Sequence, residues 1–360
     1  MQYREYGLTG KKVSLLGFGG MRFKNINNYD ECIHTIITAA EGGITYFDTA
    51  PDYCEGKSEK VFGLGFAELR KRNFPYYSAT KTFASSEADV RRQLENSLKT
   101  MGIPCIDFYH IWCVLGLDEW QRRKNEGVLK AFRKMKEEGL IKHICVSSHL
   151  INDDIKELLL EGVFEGVLFG YSAYNFQQRQ AAFDAIREKK LGAIIMNPLG
   201  GGVIPNNKQR FAYLARTGEG VVAAALSFLW DHPEITSTLV GFEDAAQVKE
   251  ALAAMENYKP RTEEELAGFK KRILSSLDKI CTGCAYCDNC PNGIPIPKFM
   301  DVYNQLILNE EGSGDPMSDR LYWHWRLDRS IIEKCKACGQ CERECTQHLN
   351  IIERLKIILG

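Results

Sequence analysis

The chain has 360 residues, of which 44% are hydrophobic, and its 46 Lys and Arg against 47 Asp and Glu give a formal net charge of -1. This length exceeds the usual size of a single core, so one large domain and a smaller one are expected. The small net charge argues against a nucleic-acid-binding protein. The apolar runs are far shorter than the roughly 20 residues that span a bilayer. The polar segment that begins at Met1 does not resemble a secretory signal, so we expect reduced cysteines and a cytoplasmic protein.

From residue 13 to about 258, short runs of β-branched and aromatic residues alternate with amphipathic helical segments. The eight predicted strands are Val13–Gly17, Ile44–Asp48, Tyr76–Lys81, Ile106–Trp112, Ile141–Ser147, Gly166–Tyr171, Gly192–Asn197 and Thr236–Gly241. Strands that alternate with helices imply right-handed crossovers and a parallel sheet. Eight such units in about 250 residues predict an α/β fold, a closed (β/α)8 TIM barrel. A doubly wound open sheet is the alternative.

The motif Gly17-Phe18-Gly19-Gly20 follows the first predicted strand. A Rossmann fingerprint would add a third glycine and an acidic residue about 20 positions later, and both are missing. The motif therefore argues against an open dinucleotide-binding sheet. Taken alone, it predicts only a tight turn between a strand and a helix.

The composition changes near residue 259, where Lys259-Pro260-Arg261 leads into a charged helix start. We therefore predict a barrel domain over residues 1–258 and a second domain over residues 259–360, which we term the tail. Helices are predicted over Leu266–Ile280, Ile296–Leu308 and Ser318–Cys335, because these segments lack the alternation of strands. The tail is thus predicted to be small and mainly helical.

Eight of the 13 cysteines lie in the tail, in two dense runs. The runs are Cys281-x2-Cys284-x2-Cys287-x2-Cys290 and Cys335-x2-Cys338-x2-Cys341-x3-Cys345. In two-cluster ferredoxins the fourth cysteine of each run ligates the other [4Fe-4S] cluster. By that rule the first set is Cys281, Cys284, Cys287 and Cys345, and the second set is Cys290, Cys335, Cys338 and Cys341. Structural zinc is the alternative, although four cysteines in ten residues are crowded for one tetrahedral ion.

Three polar side chains follow the second and third predicted strands, at the barrel rim where working residues lie in this fold. They are Asp48, Tyr53 and Lys81. A tyrosine hydroxyl is a weak acid at neutral pH unless a nearby cation stabilises the phenolate. Lys81 can supply that charge and Asp48 can orient Lys81, so that Tyr53 would donate a proton to a carbonyl oxygen. An ordinary buried ion pair beside a loop tyrosine is the alternative.

Six short motifs occur in order along the chain. They are Gly17-Phe18-Gly19-Gly20-Met21, Phe47-Asp48-Thr49-Ala50 with Tyr53, Ala79-Thr80-Lys81, Ile106-Asp107-Phe108-Tyr109, Val146-Ser147-Ser148 and Asn197-Pro198-Leu199-Gly200-Gly201. Through them, residues 7 to about 255 resemble the aldo/keto reductase family. The resemblance implies a (β/α)8 barrel, a nicotinamide cofactor bound without a Rossmann domain, and a tetrad of Asp48, Tyr53, Lys81 and a histidine. The tail is similar to the helical, ferredoxin-like two-cluster module fused to an iron–sulfur branch of these reductases.

The histidine is the main departure from the family pattern. The resemblance implies it five residues after Asp107, where this chain has Trp112. His110 lies two residues earlier, on the same strand face but about one layer deeper. His110 is the candidate fourth catalytic residue, and an interior histidine satisfied by core hydrogen bonds is the alternative. Trp112 would then shape the pocket.

The resemblance also implies a dinucleotide site. Ser147 and Ser148 stand where the family holds the carboxamide, Tyr171 replaces a glutamine, and Met196 replaces a stacking aromatic. The full predicted set is Gly19, Gly20, Met21, Ser147, Ser148, Tyr171, Met196, Asn197, Leu199 and Gly241. After the eighth strand, Glu243 and Asp244 would repel a 2′-phosphate, which favours NADH over NADPH. Alternatively, these acidic residues only begin a helix.

A nicotinamide moves two electrons at once, whereas an iron–sulfur cluster passes one, and a flavin is the usual link between them. The leading hypothesis is an aldo/keto reductase-like oxidoreductase acting on a carbonyl or alcohol of a small molecule, with clusters that exchange electrons with a ferredoxin-type partner. One alternative is a barrel that binds a flavin or another acceptor. The other is a non-catalytic electron-transfer partner.

Overall fold

The computed structural model describes residues 1–173, 175–216, 218–276, 280–281, 283, 285–308, 316–345 and 348–360. In these ranges, eight parallel strands close into a barrel. They are β3 (Leu16–Gly19), β4 (Tyr46–Asp48), β5 (Tyr77–Thr82), β6 (Ile106–Val114), β7 (Ile141–Ser148), β8 (Gly166–Gly170), β9 (Gly192–Met196) and β10 (Ser237–Gly241). The barrel closes where β10 pairs with β3. The predicted (β/α)8 barrel is confirmed, and the open sheet is excluded.

A hairpin that the sequence did not predict closes the amino-terminal end of the barrel. Its strands, β1 (Tyr3–Glu5) and β2 (Lys12–Ser14), pair antiparallel in a separate sheet. The first predicted strand, Val13–Gly17, is therefore split between β2 and β3. Tyr6, which follows β1, is completely buried in the barrel interior, where its ring stacks on Phe108 at 4.1 Å between ring centroids. The hairpin that includes β2 therefore packs across the end of the barrel, and the barrel strand begins only at β3.

Ten α-helices follow or flank the strands in the described part of the barrel. They are α1 (Tyr29–Glu41), α2 (Ser58–Lys71), α3 (Glu87–Met101), α4 (Leu117–Asn125), α5 (Val128–Glu137), α6 (Asn152–Leu160), α7 (Ala181–Lys189), α8 (Val203–Asn206), α9 (Val221–Trp230) and α10 (Ala245–Glu256). The ends of α3 show how local sequence sets these bounds. Ser86 accepts a hydrogen bond from the Asp89 amide at the start, and Gly102 ends the helix with φ of 61°.

The tail contains short helical pieces, as predicted. They are α11 (Glu263–Ser276), α12 (Ile296–Leu308), α13 (Pro316–Ser318), α14 (Gln340–Arg343) and α15 (Ile351–Leu359). The continuous helix predicted over Ser318–Cys335 is wrong, because a π-helix (Asp319–His324) and a 3-10 helix (Arg329–Lys334) are separated by irregular backbone. The break follows from side-chain bonds: the Trp325 indole donates to Asp301 of α12 at 2.7 Å, and Asp328 caps the 3-10 helix.

Three hydrophobic cores stabilise these elements. The interior core fills the barrel, the outer core lies between the strands and the helices, and the tail core includes residues from Cys287 to Ile358. Phe269 and Ile273 of α11 belong to the outer core, as does Leu308 at the end of α12, so the packing of the barrel extends beyond residue 259. The boundary at residue 259 stays a prediction. Among the described helices, none is long and apolar enough to cross a membrane.

Candidate active site and cysteine sets

The inward face of the barrel is built in layers. Side chains of seven strands form the interior core: Tyr46, Ala79, Phe108, Cys145, Leu168, Ile194 and Leu239. Because side chains alternate along a strand, the positions two residues further on also face inward, nearer the carboxyl ends. Those positions are Asp48, Lys81, His110, Ser147, Gly170, Met196 and Gly241. Six of the seven were predicted site residues, and the fold brings them into one layer.

Asp48 and Lys81 form a buried ion pair at the centre of this layer. Lys81 Nζ lies 2.5 Å from Asp48 Oδ1 and also donates to the Thr49 carbonyl at 2.7 Å. Burial raises the pKa of Asp48 and lowers that of Lys81, and the attraction between the two charges opposes both shifts. Asp48 Oδ2 is buried and has no hydrogen-bond partner among the described residues. The pair therefore holds the ammonium group at a fixed point below the barrel mouth.

Tyr53 lies in the loop between β4 and α2, against the ion pair. Its ring centroid is 4.9 Å from Lys81 Nζ, and its ring meets the edge of Trp112 at 5.7 Å between centroids. Burial, and next the negative charge of Asp48, raise the pKa of Tyr53 well above its ordinary value. The sequence predicted that Lys81 would lower this pKa, and in the folded chain burial shifts it in the opposite direction. The hydroxyl of Tyr53 is therefore protonated at neutral pH.

His110 is completely buried beside Lys81 in the strand register. Its Nε2 lies 3.3 Å from the Tyr46 hydroxyl, and its Nδ1 has no partner among the described residues. Burial, with the charge of Lys81, lowers the pKa of His110 to about 3, so the ring is neutral at physiological pH. The structure thus places His110 in the same layer as Lys81, with its bonding directed into the core.

Trp112 occupies the position where the family pattern implies a histidine. A bulge between Ile111 and Val114 shifts the register of β6 there, and Cys113 has a positive φ of 61°. The Trp112 ring stacks on Phe83 at 4.0 Å between centroids. Phe83, Trp112 and Tyr53 therefore form an aromatic wall beside the ion pair.

Four of the predicted dinucleotide residues have side chains outside the inward layer or at its edge. Ser148 alternates with Ser147 and its hydroxyl donates to the Val114 carbonyl at 3.2 Å, so it supports the backbone. Asn197 is exposed after β9 with a positive φ of 53°, and Met21 is 58% exposed. Leu199 is half-buried and packs against the outer core. A ligand would have to reach these side chains from the rim.

The predicted role of Tyr171 is corrected by its packing. Tyr171 is completely buried, its ring stacks at 5.9 Å on Phe228, and its hydroxyl bonds to His232 at 3.0 Å. These partners belong to the helix layer, and the inward position of β8 is Gly170. The side chain is therefore turned away from the barrel mouth, and it cannot take the place of a ligand-binding glutamine.

The glycines at the end of β3 have different reasons for being glycine. A Cβ on Gly20 would lie 2.3 Å from the ring of Phe62 in α2. Gly20 must therefore lack a side chain for α2 to pack against the end of β3. Gly19 pairs with Gly241 across the sheet. A Cβ on Gly241 would lie 2.6 Å from Cγ of Arg22, which crosses this point and donates to the Gly201 carbonyl at 3.3 Å. Arg22 is a cation at the predicted dinucleotide site that the sequence reasoning missed, although it directly follows the glycine motif.

The second cysteine set surrounds a cavity in the tail. All four of its members line that cavity: Cys290, Cys335, Cys338 and Cys341. The lining thus combines the last cysteine of one run with three of the other. Burial, and next the negative charge of Glu342, raise the thiol pKa of Cys341 to about 11; Cys335 and Cys290 are also close enough to act on this thiol.

The first cysteine set is more deeply placed. Cys287 and Cys345 belong to the tail core at 6% and 7% exposure, with Cys281 packed against it. Cys281 and Cys345 both act electrostatically on Arg354 of α15, so they approach the same cation. Cys284 lies outside the described residues. The described members, Cys281, Cys287 and Cys345, thus lie in or against one core although they come from both runs.

Within the described residues, no three His, Cys, Asp or Glu side chains are grouped closely enough to hold a single metal ion. A [4Fe-4S] cube has a different requirement, because its thiolates bind four separate iron atoms and lie farther apart than the ligands of one tetrahedral zinc. The donor chemistry of both sets, four thiolates each, fits such a cube.

A parallel eight-stranded barrel with a buried acid–lysine pair at the carboxyl ends of its strands defines a barrel enzyme. A model of the aldo/keto reductase family matches residues 15–271. The chain therefore belongs to the aldo/keto reductase family, and it is an oxidoreductase of that type. The matched region ends before the first of the eight tail cysteines.

Individual relatives agree with this assignment. L-galactose dehydrogenase of Arabidopsis thaliana is 27% identical over 312 residues, covering 78% of this chain and 94% of its own length. The solved structure of aldo-keto reductase AKR11C1 from Bacillus halodurans (holo form) has a TM-score of 0.66 at 23% identity, covering 76% of this chain and 96% of that one. An aldo-keto reductase from Klebsiella pneumoniae in complex with NADPH has a TM-score of 0.62 at 19% identity, covering 75% and 95%. The two structures show the shared fold.

Proposed function

We propose that the chain reduces a carbonyl group of a small molecule, or oxidises the corresponding alcohol, at the site formed by Asp48, Tyr53 and Lys81. The observation that carries this proposal is the buried ion pair with the protonated tyrosine set against it. A bound nicotinamide would supply or accept hydride. Tyr53 would donate its proton to the carbonyl oxygen, Lys81 would stabilise the resulting phenolate, and Asp48 would hold Lys81 charged and in place.

Replacing Tyr53 by phenylalanine tests the proton donor. We expect Tyr53→Phe to lower kcat by roughly 10²- to 10⁴-fold, the usual contribution of a positioned general acid, while the barrel stays folded. Turnover with a panel of aldehydes and ketones would be measured beside circular dichroism. Tyr322→Phe, at a 48% exposed position in the tail, is the matched control. Undiminished turnover in Tyr53→Phe would remove this assignment.

The dinucleotide is proposed to be NADP(H), against the preference for NADH that the sequence indicated. The Asp244 carboxylate accepts hydrogen bonds from the Ala246 and Gln247 amides and so caps α10. Arg22 crosses the end of β10 beside Gly241 and supplies a cation. The Klebsiella pneumoniae structure named above is a complex with NADPH. Titration of the tryptophan fluorescence with NADPH and NADH, in the wild type and in Arg22→Met, would decide between them.

We further propose that the tail is an iron–sulfur domain with one [4Fe-4S] cluster on each cysteine set. The cavity lined by all four members of the second set supports this proposal. Such clusters, when bound, exchange single electrons, which suits a ferredoxin-type partner and leaves a flavin in the barrel as the alternative link to two-electron chemistry. The test is iron, sulfide and zinc analysis of protein purified without oxygen, with identification of any released flavin. Zinc without sulfide would reject the clusters and leave the barrel proposal intact.

A further inference from the structure

One short segment of the tail lies at the mouth of the barrel. His324 of the tail meets His149, which directly follows β7, edge to face at 4.6 Å between ring centroids. The guanidinium of Arg179, a buried barrel residue, lies 6.0 Å from the ring centroid of Trp325, and Arg179 also donates to the His149 carbonyl at 2.8 Å. The next tail residue, Arg326, is therefore held at the carboxyl-terminal rim, the end of the barrel that carries the candidate active site.

The backbone of Arg326 is fixed in an uncommon conformation. Arg326 has a positive φ of 50°, which residues with a Cβ seldom adopt. The Trp325 amide donates to the Arg320 carbonyl at 3.2 Å. The Leu327 amide donates to the Leu321 carbonyl at 3.0 Å, so hydrogen bonds hold the turn on both sides. Backbone strain that the surrounding structure maintains is concentrated at functional sites, which favours a functional role for this position.

The side chain of Arg326 lies against the aromatic wall of the candidate active site. Its guanidinium carbon is 5.9 Å from the ring centroid of Phe83, which stacks on Trp112. Phe83 and Trp112 come two residues after the members of the inward layer on β5 and β6, so both lie one layer nearer the rim. The wall therefore extends from Tyr53, beside the ion pair, to Arg326.

The positive charge of Arg326 is exposed and is not paired with a carboxylate among the described residues. Asp328, the nearest acid in sequence, instead accepts a backbone amide at 2.8 Å. Glu119 of α4 accepts a backbone amide at 3.2 Å. Burial raises the pKa of the Cys113 thiol to about 11, and the charge of Arg326 opposes this shift, so its field extends to the end of β6.

We propose that Arg326 binds an anionic group of the substrate, a carboxylate or a phosphate, while Tyr53 acts on the carbonyl group. This inference rests on the proposed reaction at Tyr53. A guanidinium can donate two parallel hydrogen bonds to either anion. An apolar spacer between the two groups would lie along Trp112 and Phe83. The substrate class is thus an aldehyde or ketone with an acidic group at its far end, and the tail determines which substrates the barrel accepts.

The test compares substrates that differ in charge. Adipic semialdehyde carries a carboxylate, and its methyl ester is neutral; glyceraldehyde 3-phosphate beside glyceraldehyde is the phosphate arm. In at least one arm, the wild type should have a kcat/KM roughly tenfold higher for the charged compound, the effect expected of a hydrogen bond between charged groups. The arm that shows the preference identifies the anion. Equal kcat/KM values within both pairs would overturn the inference.

Substitutions at Arg326 locate this preference. In the arm that shows it, Arg326→Gln should reduce the ratio of kcat/KM for the charged over the neutral compound roughly tenfold, Arg326→Lys should retain part of it, and Arg326→Glu should favour the neutral compound. Arg272→Gln is the matched control, because Arg272 of α11 is also an exposed arginine beside a ring, 5.2 Å from the Phe269 centroid. This control should keep the wild-type ratio. A ratio that persists in Arg326→Gln would contradict the assignment.

Ionic strength provides a readout that a merely structural role would not change. The ratio should fall with added salt in the wild type, because ions screen an exposed charge, and should not respond in Arg326→Gln. The same salt response in both proteins would exclude Arg326 as the binding cation.

The outcomes separate this inference from the proposed function. Undiminished turnover in Tyr53→Phe contradicts the proton donor and leaves the charge preference measurable. If no probe is turned over, calorimetric titration with hexanoate, which has a carboxylate and no reducible carbonyl, decides. Its Kd should be roughly tenfold higher for Arg326→Gln than for the wild type. Equal Kd values would reject the anion site.

Discussion

At the scale of single residues, Lys81 and Asp48 form an ion pair that is almost completely buried. Removing one partner leaves an uncompensated charge in the barrel interior, which costs roughly 3–5 kcal/mol. We expect Asp48→Asn and Lys81→Met each to lower the free energy of unfolding by about that amount. The double variant should lose less than the sum of the two, because no unpaired charge remains. Urea unfolding of the three variants measures this difference.

The exposed pair of Arg122 and Glu126 provides the matched control, since its atoms also lie close together, at 2.6 Å. Solvent screens such a pair, so Arg122→Ala should leave the urea midpoint nearly unchanged. Strictly additive losses at Asp48 and Lys81 would show that the two side chains do not depend on each other.

The residue scale also shows what the sequence could predict of the site. Asp48, Lys81, His110, Ser147, Met196 and Gly241 share one layer because each lies two residues beyond an inward core position. The inward-facing residue of β8 is Gly170, one position before the predicted Tyr171. The sequence of a continuously apolar strand such as β8 does not show which side chains face inward. The inverted pKa shift of Tyr53 could not be predicted, because burial in the folded state determines it.

At the scale of elements, the contact between β8, α7 and α9 depends on a neutral histidine. His232 Nδ1 donates to the Phe228 carbonyl at 2.8 Å, so in the neutral ring Nε2 accepts from the Tyr171 hydroxyl at 3.0 Å. Burial lowers the pKa of His232 to about 3, against about 6.5 in the unfolded chain. As the pH falls below 6.5, the unfolded state binds a proton that the native state does not, so stability falls.

This linkage predicts a measurable pH dependence. Between about pH 6.5 and pH 5, His232 should cost the wild type about 2 kcal/mol of stability, at about 1.4 kcal/mol per pH unit. His232→Gln cannot titrate, so its stability should fall by that much less over the same range. Urea unfolding at several pH values measures the difference, and other histidines cancel because both proteins contain them. Parallel curves would show that His232 binds a proton in the native state as readily as in the unfolded chain.

Element prediction succeeded where one periodicity dominated and failed where tertiary contacts intervened. The alternation of strands and helices identified all eight barrel strands, because each strand is buried on both faces. The β1–β2 hairpin was not predicted because Tyr6 packs in the barrel interior against strands that are distant in sequence. The helix over Ser318–Cys335 was wrong because Trp325 bonds to Asp301 of α12, a contact that local sequence does not encode.

At the scale of the whole molecule, the barrel and the tail are stabilised in different ways. The barrel has an interior core and an outer core, to which α11 also contributes. The tail core is small, and Cys287 and Cys345 are among its buried members. A core of this size needs additional support, which bound clusters would supply because metal binding is coupled to folding.

If the tail binds the proposed clusters, removal of their iron should unfold the tail and leave the barrel folded. In calorimetry of protein prepared without oxygen, we expect a lower transition for the tail and an upper one for the barrel, and treatment with a chelator should abolish only the lower one. Limited proteolysis of the iron-free protein should then cut after residue 276. Cys105→Ser, a cysteine outside both sets, is the matched control and should keep both transitions. If iron removal lowers the barrel transition as much as that of the tail, the contacts of His149 and Ile151 with the tail couple the two parts into one cooperative unit.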